Sequence, residues 1–201
     1  MDIAKISDKI NDISIKFVEF KDIINTLAKC NVLKIIKKTA TEILYSYNNE
    51  MYFNCIRKQG NMLEYKTYLE ARDFLYNGKK AFNDVKMSVT IDWDGIIHKE
   101  KFKDTNNEID VMVMQGMIPI FISCKNGDIE EEFYKLKVVA DRFGSGIAKK
   151  VLIATDYNIN GEDAKKAKIL RAKEMGIIFE PDAKKFDKED WRNFFKKIIE
   201  S

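Results

Sequence analysis

Histidine is nearly missing from this chain: His98 is the only one in 201 residues. It follows Asp94-Gly95 in a charged stretch, where a surface position is the ordinary expectation. That solitude all but excludes histidine-based metal nucleases and Ser-His-Asp or Cys-His mechanisms. Cysteine is scarce too. Cys30, Cys55 and Cys124 show no C-x-x-C-type spacing, and Cys124 falls on the apolar face of an expected buried strand, which is cytosolic usage. The longest apolar run, from Val111 to Cys124, is broken by Gln115, Gly116 and Pro119 and is too short to span a bilayer. The opening Met-Asp-Ile-Ala-Lys lacks the layout of a signal peptide. An intracellular, cytoplasmic protein with no membrane partner is expected. Net charge is also small, since 35 basic residues face 32 acidic ones, so overall charge says little about partners.

What is present is enough for one good-sized core: 45% of the residues are hydrophobic and 33% charged. Local basic clusters occur at Lys79-Lys80, Lys149-Lys150, Lys165-Lys166 with Lys168 and Arg171, and Lys184-Lys185. Each is most simply a solvated helix face or end, although a basic rim around an acidic site suits a polyanion.

Two segments are expected. Residues 1–57 read as a small helical and hairpin unit of winged-helix-like outline. A lead-in helix carries Ile6, Ile10, Ile13 and Phe17, and two short helices hold Ile23, Ile24, Leu27 and then Val32, Leu33, Ile36. A hairpin of Ile43–Tyr47 and Met51–Cys55 follows, turning at Asn48-Asn49. Residues 58–201 give a helix capped by Asn61, then a strand with Val85, Met87, Val89, Ile91 and Trp93 on one face. A hairpin comes next, and a helix opened by Asp128 with Glu131 runs until Gly144. The strand from Lys150 to Thr155, a helix ending at Gly176, the strand Ile177–Phe179 and a last helix opened by Asp187 complete it. Tight turns join antiparallel strands, and the later strand-helix-strand connection must be a parallel crossover. The fold class is therefore α/β: a mixed sheet flanked by helices around an α-β-β-β-α-β core. Pro119 is the dissonant residue, tolerable only because it lies at the start of its strand.

The hairpin Asn107–Met114 and Met117–Lys125 carries the densest information. Alternation puts Ile109, Val111 and Val113 on one face and Glu108 and Asp110 on the other. In the second strand Ile118, Ile120, Ile122 and Cys124 oppose Phe121, Ser123 and Lys125. Charges thus gather at one end of an otherwise apolar ribbon. An acid on the second strand and a lysine-ended motif on the third, in this element order, resemble the PD-(D/E)xK or restriction-endonuclease-like nuclease superfamily. Gly60-Asn-Met-Leu-Glu64, Ile91-Asp-Trp-Asp94, Asn107-Glu-Ile-Asp110, Phe121-Ile-Ser-Cys-Lys-Asn-Gly127 and Phe143-Gly with Ala148-Lys-Lys-Val-Leu-Ile153 are similar to the nuclease half of CRISPR type III ancillary effectors. Those couple a CARF sensor for cyclic oligoadenylate to a nuclease. The stretch before residue 58 is too short for such a sensor, which is expected to be absent from this chain.

The resemblance implies a metal-dependent endonuclease of DNA, in some relatives also of RNA, acting as a homodimer in antiviral defence with Mg²⁺ or Mn²⁺. Hard oxygen ligands suit those ions. Asp110 would supply a carboxylate, the Cys124 backbone carbonyl a second oxygen, and Glu64 a third group directly or through water. Lys125 would orient or help deprotonate the attacking water. Ser123 departs from the pattern, which normally has Glu or Asp there. Either Glu108 or Glu64 restores the second acid, or the site is weakened and the chain is a catalytically silent nucleic-acid-binding or assembly module. Plainer accounts also stand: Asp110 with Lys125 as a cross-strand ion pair, Glu64 as a helix-surface residue, and Ser123 with Lys125 as a hydrolytic dyad that lacks any visible oxyanion loop.

Overall fold

The structure, a computed structural model, describes residues 3–7, 13–40, 42–57, 60–93, 106–155 and 162–201. It divides into two compact units, Met1–Gln59 and Gly60–Ser201. Among the described residues no helix is long and apolar enough to cross a membrane.

In the first unit β1 (Ile3–Ser7) precedes α1 (Ile13–Lys29), β2 (Leu33–Lys38), β3 (Glu42–Tyr47) and α2 (Glu50–Arg57), and the antiparallel sheet runs β1-β3-β2. Here the expected outline is corrected. The segment with Val32, Leu33 and Ile36 is largely a strand, because Asn31 takes a left-handed φ of 58° that ends α1 and reverses the chain. A short apolar run does not by its spacing distinguish helix from strand. Met51–Cys55 is helix. Asn49 does not turn a hairpin but accepts the Tyr52 N–H at 2.9 Å, as a helix-capping residue does. The real hairpin joins β2 to β3. Ile6 belongs to β1, Ile13 and Phe17 to α1, and Ile10 lies outside the described residues, so the lead-in helix through all four is corrected as well. Ile24, Leu33, Ile43 and Tyr45 form the small core.

The second unit follows the expected element order. α3 (Asn61–Asp73) leads to a short ribbon, β4 (Leu75–Tyr76) with β5 (Lys79–Lys80), turned by Asn77-Gly78 with both φ angles positive. Then come β6 (Asp84–Asp92), β7 (Asn106–Gln115), β8 (Ile118–Lys125), α4 (Glu130–Phe143), β9 (Lys149–Ala154), α5 (Glu162–Glu174), β10 (Ile177–Glu180) and α6 (Lys188–Glu200). The five-stranded sheet runs β10-β9-β8-β7-β6, antiparallel from β6 to β8 and parallel from β8 to β10. Pro119 faces Met114 on one side, and the parallel ladder to β9 starts only at Ile120, so its missing N–H breaks no bond there.

Both sheet faces are covered. Leu63 and Ala71 of α3 and Trp191, Phe194, Phe195 and Ile198 of α6 pack on Val111, Val113, Ile120, Ile122 and Val151. Phe133, Leu136 and Ala140 of α4 and Ala172 of α5 pack on Ile109, Phe121 and Leu152. Parallel strands buried on both sides are continuously apolar for this reason. Caps shift slightly from expectation. Gly60, at φ 104°, and not Asn61 is the N-cap of α3, and Ile129 rather than Asp128 caps α4, while Asp187 and Asp190 do form a capping box on α6. Gly144 ends α4 where a side chain would run into Ala148 Cβ.

One irregularity places the site. Ile109 packs with the α4 cluster, whereas Val111 and Val113 pack with α3 and α6, and in β6 Val89 and Ile91 likewise part from Val85 and Met87. The expected unbroken alternation is therefore corrected. Ser88 has a left-handed φ of 52°, and the β6–β7 ladder skips the step between Met87↔Val111 and Val89↔Ile109. Both strands change faces at Ser88 and Asp110.

Candidate functional site

The β7–β8 pairing stops at Val111↔Ile122, and beyond it the strands are joined by side chains. Asp110 reaches across this fork, and its Oδ2 accepts the Cys124 N–H at 2.6 Å. The Ser123 hydroxyl lies 3.1 Å from the same Oδ2 and 2.8 Å from Glu132 Oε1. Glu132 Oε2 in turn pairs with Lys125 Nζ at 3.0 Å, and Lys135 Nζ is 3.6 Å from Oε1. Strand ends and the first turn of α4 thus meet in one network: Asp110, Ser123, Glu132, Lys125.

Glu132 was not among the residues singled out from sequence. A signal was there, because Glu132 lies four residues before Leu136 and seven before Val139, on the inward stripe of α4. A glutamate only 8% exposed on an apolar stripe demands partners, which Ser123 and the lysines supply. A second carboxylate thus stands one strand-to-helix step from Asp110, with the Ser123 hydroxyl between the two.

The other candidates are placed differently. Glu64 is half-buried on α3, on the opposite side of the sheet from α4, close enough to act electrostatically on both Cys124 and Lys125. It shares a helix stripe with Thr67, whose hydroxyl accepts from Cys124 Sγ at 3.5 Å. Glu108 is exposed beside Thr90 of β6, and among the described residues it makes none of the contacts of this network. His98 lies outside the described residues.

Electrostatics assign states to the charged groups. Burial raises the Asp110 carboxyl and Glu132 adds to it, against the opposing pull of Cys124 N–H, Lys125 and Ser123. Burial alone would lower the Lys125 ammonium, but Glu132, Asp110 and Glu64 together outweigh it and raise the group. In this arrangement its three acidic neighbours favour the ammonium form of Lys125. Burial also pushes the Cys124 thiol up, so it is inert as a nucleophile.

A raised carboxyl means that the folded protein holds the Asp110 proton more tightly than the unfolded chain does. Stability from this group is complete below the ordinary aspartate pKa and is lost as pH rises through the raised value, so at neutral pH its ionisation is a net cost. Asp110→Asn removes that cost and keeps an acceptor for Cys124 N–H. In EDTA at pH 7 the variant is expected to melt higher than the parent, by roughly 2–4 °C for about 1 kcal/mol in a chain of this size. Thermal unfolding checks this, and a lower Tm would contradict the assigned cost.

The donor set fits a hard divalent cation. Both hydrogen bonds to Asp110 use Oδ2, and the Asp110 and Glu132 carboxylates flank the one Ser123 hydroxyl, with Lys125 and Lys135 beside Glu132. Among the described residues no group of three His, Cys, Asp or Glu converges to hold a metal. Two carboxylates with water completing the shell is the arrangement Mg²⁺ commonly takes.

No protein-family model matches this sequence, and no curated protein matches it. Solved structures do. Protein VC1899 from Vibrio cholerae superposes with a TM-score of 0.64 at 16% identity, covering 98% of this chain and 46% of that one. Can2 from Sulfobacillus thermosulfidooxidans, solved in complex with cyclic tetra-adenylate, gives 0.59 at 16% identity, covering 98% and 48%. The chain thus spans about half the length of either protein. What it shares with them is the fold.

Proposed function

We propose that the second unit is a metal-dependent endonuclease hydrolysing phosphodiester bonds of DNA, with RNA as a further substrate, in CRISPR-linked antiviral defence. One observation carries this: the Asp110–Ser123–Glu132–Lys125 network at the fork of β7 and β8. The likeness to the fold of Can2, together with the PD-(D/E)xK-like motifs, supports the setting.

Asp110 and Glu132 would hold Mg²⁺ or Mn²⁺, with the Cys124 carbonyl as a further oxygen donor and Glu64, on the other side of the sheet, reaching the ion only through water. The ion, when bound, supplies Lewis-acid stabilisation of charge on phosphate oxygens and a more acidic attacking water. The chain's own groups do the rest. Lys125, a third exposed and kept cationic by Glu132, offers a fixed positive charge to the phosphate as negative charge develops. Ser123 holds the two carboxylates in register, a neutral spacer where a third acid would add repulsion. The buried Thr67–Cys124 contact fixes the strand end that presents Lys125. Acting as a homodimer, two copies would set two such sites against two strands.

A second reading, a silent nucleic-acid-binding or assembly module, is favoured by the serine at position 123 alone. Supercoiled plasmid incubated with the purified protein and Mg²⁺ or Mn²⁺, with EDTA as control, separates the two. Nicking that needs the metal is expected, and intact plasmid under all conditions would sink the nuclease reading.

A further inference from the structure

Beside the site, α4 meets α5 through a cluster that the chemistry above leaves unused. Glu130 pairs with both Lys168 and Arg171, the latter at 2.8 Å. The Arg171 guanidinium also lies over the Tyr134 ring, 5.1 Å from its centroid, and donates to Tyr134 Oη. One carboxylate therefore holds two cations, with Asp128 also acting on Lys168, while Lys165 and Lys166 precede them on the same helix and Lys166 pairs with Asp163. Tyr134 remains 52% exposed even so. A clasp that only pinned α5 to α4 needs Glu130 and its two cations but no exposed ring braced by arginine.

The helix ties this cluster to the site. Tyr134 lies two residues beyond Glu132, roughly 200° around α4, and Lys135 stands between them on the helix surface beside Glu132. A chain running from Lys125 past Lys135 to the Tyr134–Arg171 pair would follow about half the circumference of α4. Every base has a π-face, so a ring with a cation next to it takes unstacked bases without regard to sequence, while the lysines take phosphates.

We propose that Tyr134, braced by Arg171 and flanked by Lys168 and Lys135, is a stacking platform for an unpaired nucleotide, and that the site accepts single-stranded or locally opened nucleic acid. This rests on the nuclease reading. The test is fluorescence anisotropy of a labelled oligodeoxythymidine single strand and of a duplex of equal length, with the full chain in EDTA so that nothing is cut. The parent binds the single strand more tightly than the duplex. Tyr134→Ala weakens single-strand binding on the order of ten-fold with an unchanged Tm, and Tyr134→Phe, which keeps the ring, restores it. Arg171→Ala, which removes the brace from the ring, weakens single-strand binding and leaves its salt dependence close to the parent's. Equal binding by Tyr134→Ala and the parent, failure of Tyr134→Phe to restore it, or tighter duplex binding would overturn the platform. A parent that shows this pattern yet cuts nothing with Mg²⁺ or Mn²⁺ supports the platform and removes the proposed reaction. A parent that cuts, with Tyr134→Ala binding and cutting equally well, removes the platform and keeps the reaction.

Discussion

Glu132→Gln is expected to abolish cleavage at ordinary Mg²⁺ concentrations, by on the order of 10²-fold or more, which corresponds to about 3 kcal/mol of barrier. Glutamine keeps nearly the same shape and still accepts from the Ser123 hydroxyl, so the fork at the end of β7 and β8 stays intact. What goes is the charge. Lys125 loses the partner 3.0 Å away, and a divalent cation loses one of two adjacent carboxylates. The loss should appear first as a shift of the metal titration toward higher Mn²⁺. Ser123→Ala removes only a neutral hydroxyl between two acids and should cost several-fold in rate, about 1 kcal/mol. The contrast between these variants tests the idea that the acid missing from position 123 is supplied by α4.

Lys125→Ala is expected to lower the plateau rate by roughly 10²–10³-fold, the scale seen when one preorganised donor to developing charge is removed. Its metal titration should keep the parent's midpoint, because the lysine acts on phosphate and not on the cation. The fold should survive. The Lys125 side chain is a third exposed, and Lys135 remains 3.6 Å from Glu132, so the buried carboxylate is not left without a cation. Single-turnover rates across a metal series, with a melting curve for each protein, separate these effects. A mutant that cuts like the parent would remove Lys125 from the chemistry.

Much of the second unit could be read from the chain, and the limits have physical causes. Continuous apolar runs at Ile118–Lys125 and Lys150–Thr155 announce strands buried on both faces, and Gly144 and Gly176 mark helix ends, so the order of elements followed. Asp110 and Lys125 drew notice because charge is rare at the end of such strands. Glu132 escaped because its neighbours Glu130 and Glu131 make the segment look like an ordinary acidic helix start. Its position relative to Leu136 and Val139 was the distinguishing mark. The change of faces at Ser88 has no local signal at all, since serine has no preference for a left-handed φ, and the surrounding sheet imposes it. In the first unit Met51-Tyr-Phe-Asn-Cys55 has strand-like composition, yet a cap from Asn49 commits it to helix. Short segments are decided by such single contacts more than by average preference.

The central claim, that Asp110 and Glu132 form the cation-dependent acidic pair of a nuclease site, is tested most directly by initial plasmid-nicking rates against Mn²⁺ concentration. The series compares the parent, Glu132→Gln and Glu108→Gln. The expected result is metal-dependent nicking by the parent, a Glu108→Gln curve superimposed on it, and a Glu132→Gln curve displaced to much higher Mn²⁺ with a lower rate. Parent-like titration by Glu132→Gln, or displacement by Glu108→Gln in its place, would contradict the claim.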